Sequence, residues 1–243
     1  MSLPDARTLY AVTEATWPPA RVWREGPFTF REGQGGGQRV SATTLAGPGW
    51  QDALPEAEAR MDALEQPRLF MIRDGEDALD KALAARGYRV KDPVNLYACP
   101  IGLLSAETPP RVSTFAIWEP LAIQLDIWRR AGIGPGRWEV MRRATCPRAA
   151  ILGRWNEKPA GTAYVGIHEG IAMLHALEVL PHQRRQGVAG RLMAAAAIWA
   201  EGQGAHTFSV LVTQANDGAN ALYASLGMTL VGQYHYRIQE DAA

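Results

Sequence analysis

Leu174-His-Ala-Leu-Glu-Val-Leu-Pro-His-Gln-Arg-Arg-Gln-Gly-Val-Ala-Gly-Arg-Leu192 is the stretch whose reading decides the fold. An apolar strand runs to Leu180, a tight turn follows, and a helix begins near Gly187. The start of a helix exposes unpaired N–H groups and the positive end of the helix dipole, so it can hold a phosphate. Glycine at 187 lets the backbone approach an anion, while small Ala189 and Gly190 keep side chains clear. Arg184 and Arg185 add positive charge. Alone, the pattern [Arg/Gln]-x-x-Gly-x-[Gly/Ala] is equally compatible with a plain strand-to-helix turn.

A second stretch changes its weight: Asn216-Asp-Gly-Ala-Asn-Ala-Leu-Tyr-Ala-Ser-Leu-Gly227 reads as a helix capped by Asn216 and closed by Gly227. Between the two, the spacing predicts a helix over Val188–Ala200, with Val188, Leu192, Ala195 and Trp199 on one face, and a buried strand over Phe208–Val212. Ahead of them, Pro120–Arg130 and Trp138–Arg143 read as helices. Ala149–Trp155, Gly161–Ile167 and Ile171–Leu180 read as adjacent strands, and Thr229–Ile238 closes the chain as an extended segment. The order is α-α-β-β-β-α-β-α-β, a mixed α/β layout.

Strand, glycine turn, long helix, strand and Asn-x-x-Ala-x-x-Leu-Tyr helix, in that order, resemble the GCN5-related N-acetyltransferase (GNAT) superfamily over about Val112–Arg237. The resemblance implies an α/β fold with a mixed, mostly antiparallel sheet flanked by helices, and acetyl-CoA as cofactor. It implies that the backbone of Leu177 and Val179 pairs with the pantetheine arm. Arg184, Arg185, Gln186, Gly187, Val188, Ala189 and Gly190 would hold the pyrophosphate, and Asn216 and Tyr223 would line the cofactor site. Tyr223 stands where the family places the tyrosine that protonates the departing thiolate. A phenol is protonated at neutral pH and can donate to sulfur.

Strand alternation puts Met173, His175, Leu177 and Val179 on one face and Glu178 on the other. His175 is then the first candidate for the base that takes the amine proton, with Glu178 behind it; a core histidine satisfied by a neighbour is the alternative. The run His175-Ala-Leu-x-Val179 also resembles the arylalkylamine N-acetyltransferases, although Met173 replaces their second histidine. The expected reaction is acetyl transfer to a primary amine of a small molecule or peptide. A non-catalytic acyl-CoA sensor, or a transferase of longer acyl groups, is the alternative. Trp118 and Trp128 read as core, or as wall of an acceptor pocket.

Before Pro110, the sequence predicts helices over Leu3–Ala15, Asp52–Leu64 and Glu76–Arg86. Strands are expected over Phe28–Arg31, Arg39–Leu45 and Leu69–Ile72, with an extended Tyr88–Leu103 broken at Pro93. Leu69–Leu96 echoes the end of the same fold, with Leu83 where Tyr223 stands and no phosphate turn before it. The expected organisation is therefore a degenerate acetyltransferase-like half over 1–110 and a cofactor-binding domain over 111–243. The assembly would be a monomer of two pseudo-repeat halves or a homodimer.

The chain has 243 residues with balanced charge, 25 basic and 25 acidic, which disfavours nucleic acid as a partner. No apolar run is long enough for a membrane span, and no secretory leader is recognised. Two cysteines, Cys99 and Cys146, are too few for a disulfide framework or a metal site, so a cytoplasmic protein is expected. Gly132-Ile-Gly-Pro-Gly136 follows a helix and so does not read as a dinucleotide loop.

Overall fold

A computed structural model describes residues 2–239. In chain order, α1 (Ala6–Thr16) precedes β1 (Arg21–Glu25), β2 (Phe28–Glu32) and the two-residue β3 (Thr44–Leu45). Next come α2 (Trp50–Ala63), β4 (Arg68–Arg73), α3 (Asp77–Ala85), β5 (Arg89–Pro100) and the short α4 (Gly102–Ser105). Then follow β6 (Thr114–Ile117), α5 (Ala122–Arg130), α6 (Pro135–Arg143), β7 (Arg148–Trp155), β8 (Lys158–His168) and β9 (Ile171–Val179). The chain continues with α7 (Val188–Gly202), β10 (Thr207–Thr213), α8 (Asp217–Ser225) and β11 (Thr229–Gln239).

The chain forms two compact units. Among the described residues, one comprises 2–18, Leu96–Val212 and Asn216–Val231; the other takes Pro19–Asn95, Thr213–Ala215 and 232–239. The division thus does not fall at Pro110, because α1 belongs with the later residues and most of β11 with the earlier ones.

In the first unit the strands run in the order β5-β10-β9-β8-β7-β6; the β6–β7, β7–β8 and β8–β9 pairs are antiparallel and β9–β10 is parallel. Its core lies between this sheet and α7, whose Val188, Leu192, Met193, Ala196, Ala197 and Ala200 are buried against Ile151, Val165, Leu174 and Phe208. Ala195 and Trp199, expected on the buried face, are only partly covered. The apolar stripe of α7 is wide enough that two faces read alike in sequence. The opposite face of the sheet carries α1 and α5 through specific polar contacts described below.

In the second unit β1, β2 and β3 form an antiparallel meander. α2 crosses over, and Thr43 bridges Phe70 of β4 in parallel. The order β-β-β-α-β-α-β is therefore the same as from β7 to β11. Even the helix ends correspond: Tyr88 N–H bonds to Leu83 O at 3.0 Å, and Met228 N–H to Tyr223 O at 3.1 Å. Where α7 follows Arg184 and Arg185, α2 carries Asp52 in its first turn. A carboxylate there competes with any phosphate, which fits the reading of this half as degenerate.

Several expectations need correction. β1 pairs with β2 around Gly26, while Gln38–Val40 is a 3-10 turn and only Thr44–Leu45 remains a strand. β5 runs through Pro93 unbroken and stops at Pro100. β6 was not legible, because Thr114–Ile117 is a four-residue edge strand with half its side chains exposed.

Candidate active site

β9 is irregular at its centre. Tyr164 pairs with His175 and Thr162 with Glu178, so three steps on β9 match two on β8. Ala176 absorbs the extra residue with φ +50°, a left-handed conformation that costs an alanine roughly 1–2 kcal/mol. Its carbonyl accepts the indole N–H of Trp128 at 2.7 Å. Because Thr162 and Tyr164 share a face, so do Glu178 and His175. The expectation that Glu178 faces away from His175 is thereby overturned, and Leu177 and Val179 pack instead against the α7-side core.

The parallel pairing of β9 with β10 spans only Ile171–Leu174 opposite Thr207–Val210. Beyond it the two strands part, leaving the Leu177–Val179 backbone free of a β10 partner in that ladder. This gap leads to the start of α7. Gly187, the N-cap, has φ +73°, carries no capping side chain, and has open space where a Cβ would stand. Arg185 is also left-handed, at φ +62°. The first helical bond is Arg191 N–H to Gly187 O at 3.2 Å, so the amides of Val188, Ala189 and Gly190 have no acceptor within the helix. A phosphate fits this helix start: three amides lack a helical acceptor, nothing stands where a Gly187 Cβ would be, and the neighbouring Arg184, Arg185 and Gln186 are exposed. Arg184 is anchored through Nε to Val179 O at 3.2 Å. A pocket of about 320 Å³ adjoins the same helix, lined in part by Gly190, Ala194, Leu226 and Gly227.

Tyr223, on α8, is 5% exposed and part of the α7-side core. Its ring lies 5.8 Å from that of Tyr97, whose hydroxyl donates to Asn220 Oδ1 at 3.2 Å. Burial pushes the Tyr223 phenol well above its usual pKa, and the Glu178 carboxylate adds to the shift. Burial also raises the Glu178 carboxyl, against the pull of Arg184 and Arg137. Asn216 caps α8 by accepting Ala219 N–H at 3.1 Å, so its side chain serves the helix.

His175 is 4% exposed. Its Nε2 is 2.9 Å from Thr16 Oγ1, and Trp17 stacks on its ring with centroids 5.0 Å apart. These are the surroundings of a satisfied core histidine. Trp128 is fully buried, whereas Trp118 lies ahead of α5 and takes the Arg148 guanidinium over its ring at 4.5 Å. Thr162, Gln124 and Tyr97 went unremarked in the sequence; only a knowledge of the bulge would have singled them out.

A sheet whose central strands part ahead of a glycine-capped helix start suits a phosphate-bearing ligand. Residues 113–228 match the family described as Acetyltransferase (GNAT) family. The chain is similar to the uncharacterized N-acetyltransferase YobR of Bacillus subtilis (strain 168), 24% identical over 97% of this chain and 99% of that protein. Its fold is similar to a GCN5-related N-acetyltransferase from Kribbella flavida, with a TM-score of 0.74 and 21% identity over 98% of this chain and 96% of that one. It is also similar to a tandem GNAT protein from the clavulanic acid biosynthesis pathway, with a TM-score of 0.60 and 11% identity over 97% and 88% of the chains. The match to that family covers residues 113–228, a little under half of the chain. Among the described residues no helix is long and apolar enough to cross a membrane, and no cluster suits a metal ion.

Proposed function

We propose that the protein is an acetyl-CoA-dependent N-acetyltransferase acting on a primary amine of a small molecule or peptide. The observation that carries the reading is the parting of β9 from β10 directly before a helix start with free amides and an open Gly187. The amides of Val188, Ala189 and Gly190, with Arg184, Arg185 and Gln186, would bind the pyrophosphate, and the Leu177–Val179 edge, which has no β10 partner, the pantetheine arm. Acetyl-CoA supplies a thioester, an activated acyl group on a good leaving group.

Glu178, rather than His175, is the group we assign as base. It is half-buried, its charge helps raise the Tyr223 pKa, and a carboxylate with a raised pKa is a stronger base than an exposed one. The amine nitrogen forms a bond to the acetyl carbon and its proton passes to Glu178. The carbon–sulfur bond breaks, and Tyr223 gives its phenolic proton to the departing sulfur. Proton uptake by Glu178 also removes one of the two causes that hold the phenol protonated. The two groups therefore assist each other. Free-thiol release from acetyl-CoA across a panel of amines tests the reading. Turnover with at least one amine is expected; tight cofactor binding without any turnover returns the protein to acyl-CoA sensing, and preference for longer thioesters widens the acyl group.

A further inference from the structure

α5 reaches the irregular part of the sheet with two side chains one helical turn apart. Gln124, fully buried, donates from Nε2 to Thr162 Oγ1 at 3.2 Å. Trp128, fully buried as well, donates its indole N–H to the Ala176 carbonyl at 2.7 Å. The two bonds grip β8 and β9 at the place where the ladder holds one residue too many. We infer that Trp128 is a positioning residue for Glu178: its hydrogen bond secures the carbonyl of the bulge and keeps Ala176 left-handed, which sets Glu178 on the face of β9 that it shares with His175.

Three facts meet in this assignment. Ala176 sits at φ +50°, where alanine is disfavoured and only a surrounding structure that demands the conformation maintains it. A bulge residue leaves the strand ladder, so a partly buried carbonyl there needs another donor. The donor is an indole, whose N–H is its one polar group; a phenyl ring at 128 would fill similar space and leave the carbonyl unpaired. Without the bulge, strand alternation would return Glu178 to the α7 side and away from its present place. What Glu178 does there rests on the acetyltransferase reading; where it stands does not.

The test compares full-length Trp128→Phe, Ala176→Gly and the double variant. For Trp128→Phe, amide exchange at Leu177–Val179 is expected to quicken about tenfold, the worth of one ordinary hydrogen bond. The rate constant for thiol release should fall by a similar factor, with KM for acetyl-CoA held within about twofold. Its rise with pH through the Glu178 titration should also shift. Glycine adopts the left-handed conformation without cost, so Ala176→Gly should restore Trp128→Phe toward wild type in all three measurements. Unchanged exchange in Trp128→Phe overturns the inference, as does a double variant no better than the single. Should Trp128→Phe fail to fold, a double variant that folds supports the inference, and one that fails too overturns it. Wild-type protein that neither binds acetyl-CoA nor releases thiol defeats the acetyltransferase reading instead, while the exchange measurement still decides the role of Trp128.

Discussion

His175 and Glu178 stand three residues apart on β9 and yet share one face, because Ala176 is an extra residue in the ladder. In a regular strand an odd separation places two side chains on opposite faces. The bulge thus decides which of the two candidate bases stands where. One is packed between Thr16 and Trp17; the other, half-buried, helps hold the phenol of Tyr223 protonated.

Replacing the two residues separates their roles. Glu178→Gln should lower the rate constant for acetylation on the order of 10²-fold with little change in Tm. His175→Ala should lower stability by roughly 2–3 kcal/mol, from the cavity and the lost hydrogen bond to Thr16, whose hydroxyl keeps its bond to Val12 O, with a smaller effect on turnover. The base works ionised, so wild-type kcat/KM should rise with pH through a value above the ordinary 4.5 of a glutamate. Arg184 and Arg137 moderate that shift. A pH profile unchanged in Glu178→Gln, or turnover lost in a still-stable His175→Ala, would restore the histidine.

Tyr223→Phe tests the acid. The phenol is held protonated by burial and by Glu178, so its loss removes a proton donor and leaves the packing of α8 largely intact. Turnover should fall on the order of 10²-fold while acetyl-CoA affinity measured by calorimetry stays unchanged. Equal loss of binding and turnover would make Tyr223 a wall residue of the cofactor site.

The parts of the fold legible in the sequence were those with strong local signals. The α7 start could be read from Gly187 and its arginines, and α8 from the Asn216 cap and Gly227. The repeat in the first half showed through Leu83, which matches Tyr223 in its place before a glycine. The bulge was not legible, since Ala176 is an ordinary alanine whose left-handed turn is imposed by tertiary contacts with Trp128. Strand alternation applied across it then misplaced Glu178. β6 and the pairing of β1 with β2 were missed for a related reason. Short edge strands carry too few buried side chains to mark a period of two.

Gly187→Ala probes the cradle. Space for a methyl group exists, so the effect comes from the backbone: φ +73° is strained for alanine. The strain of about 1 kcal/mol corresponds to roughly fivefold weaker acetyl-CoA binding if the turn shifts to relieve it. The same measurement in Arg184→Gln with Arg185→Gln should show weaker dependence on salt. Unaltered affinity in all of these variants would move the pyrophosphate away from this turn.

Asp80 offers a stability test away from the active site. Its carboxylate accepts two bonds from Arg237, at 2.7 and 2.9 Å, and one from His235 at 2.7 Å. Chiefly through Arg237, these partners lower its pKa from 3.8 to about 2. A depressed carboxyl favours folding once it is ionised. The contribution is complete above the unfolded value of 3.8 and is lost as pH falls through about 2. Asp80→Asn should therefore cost roughly 1–2 kcal/mol near neutral pH, discounted for the partial exposure of the pair. The difference between variant and wild type, followed by urea unfolding, should shrink steadily as the pH is lowered across that window. A difference that stays constant down to the acid end would mean that Asp80 contributes through packing and not through its charge.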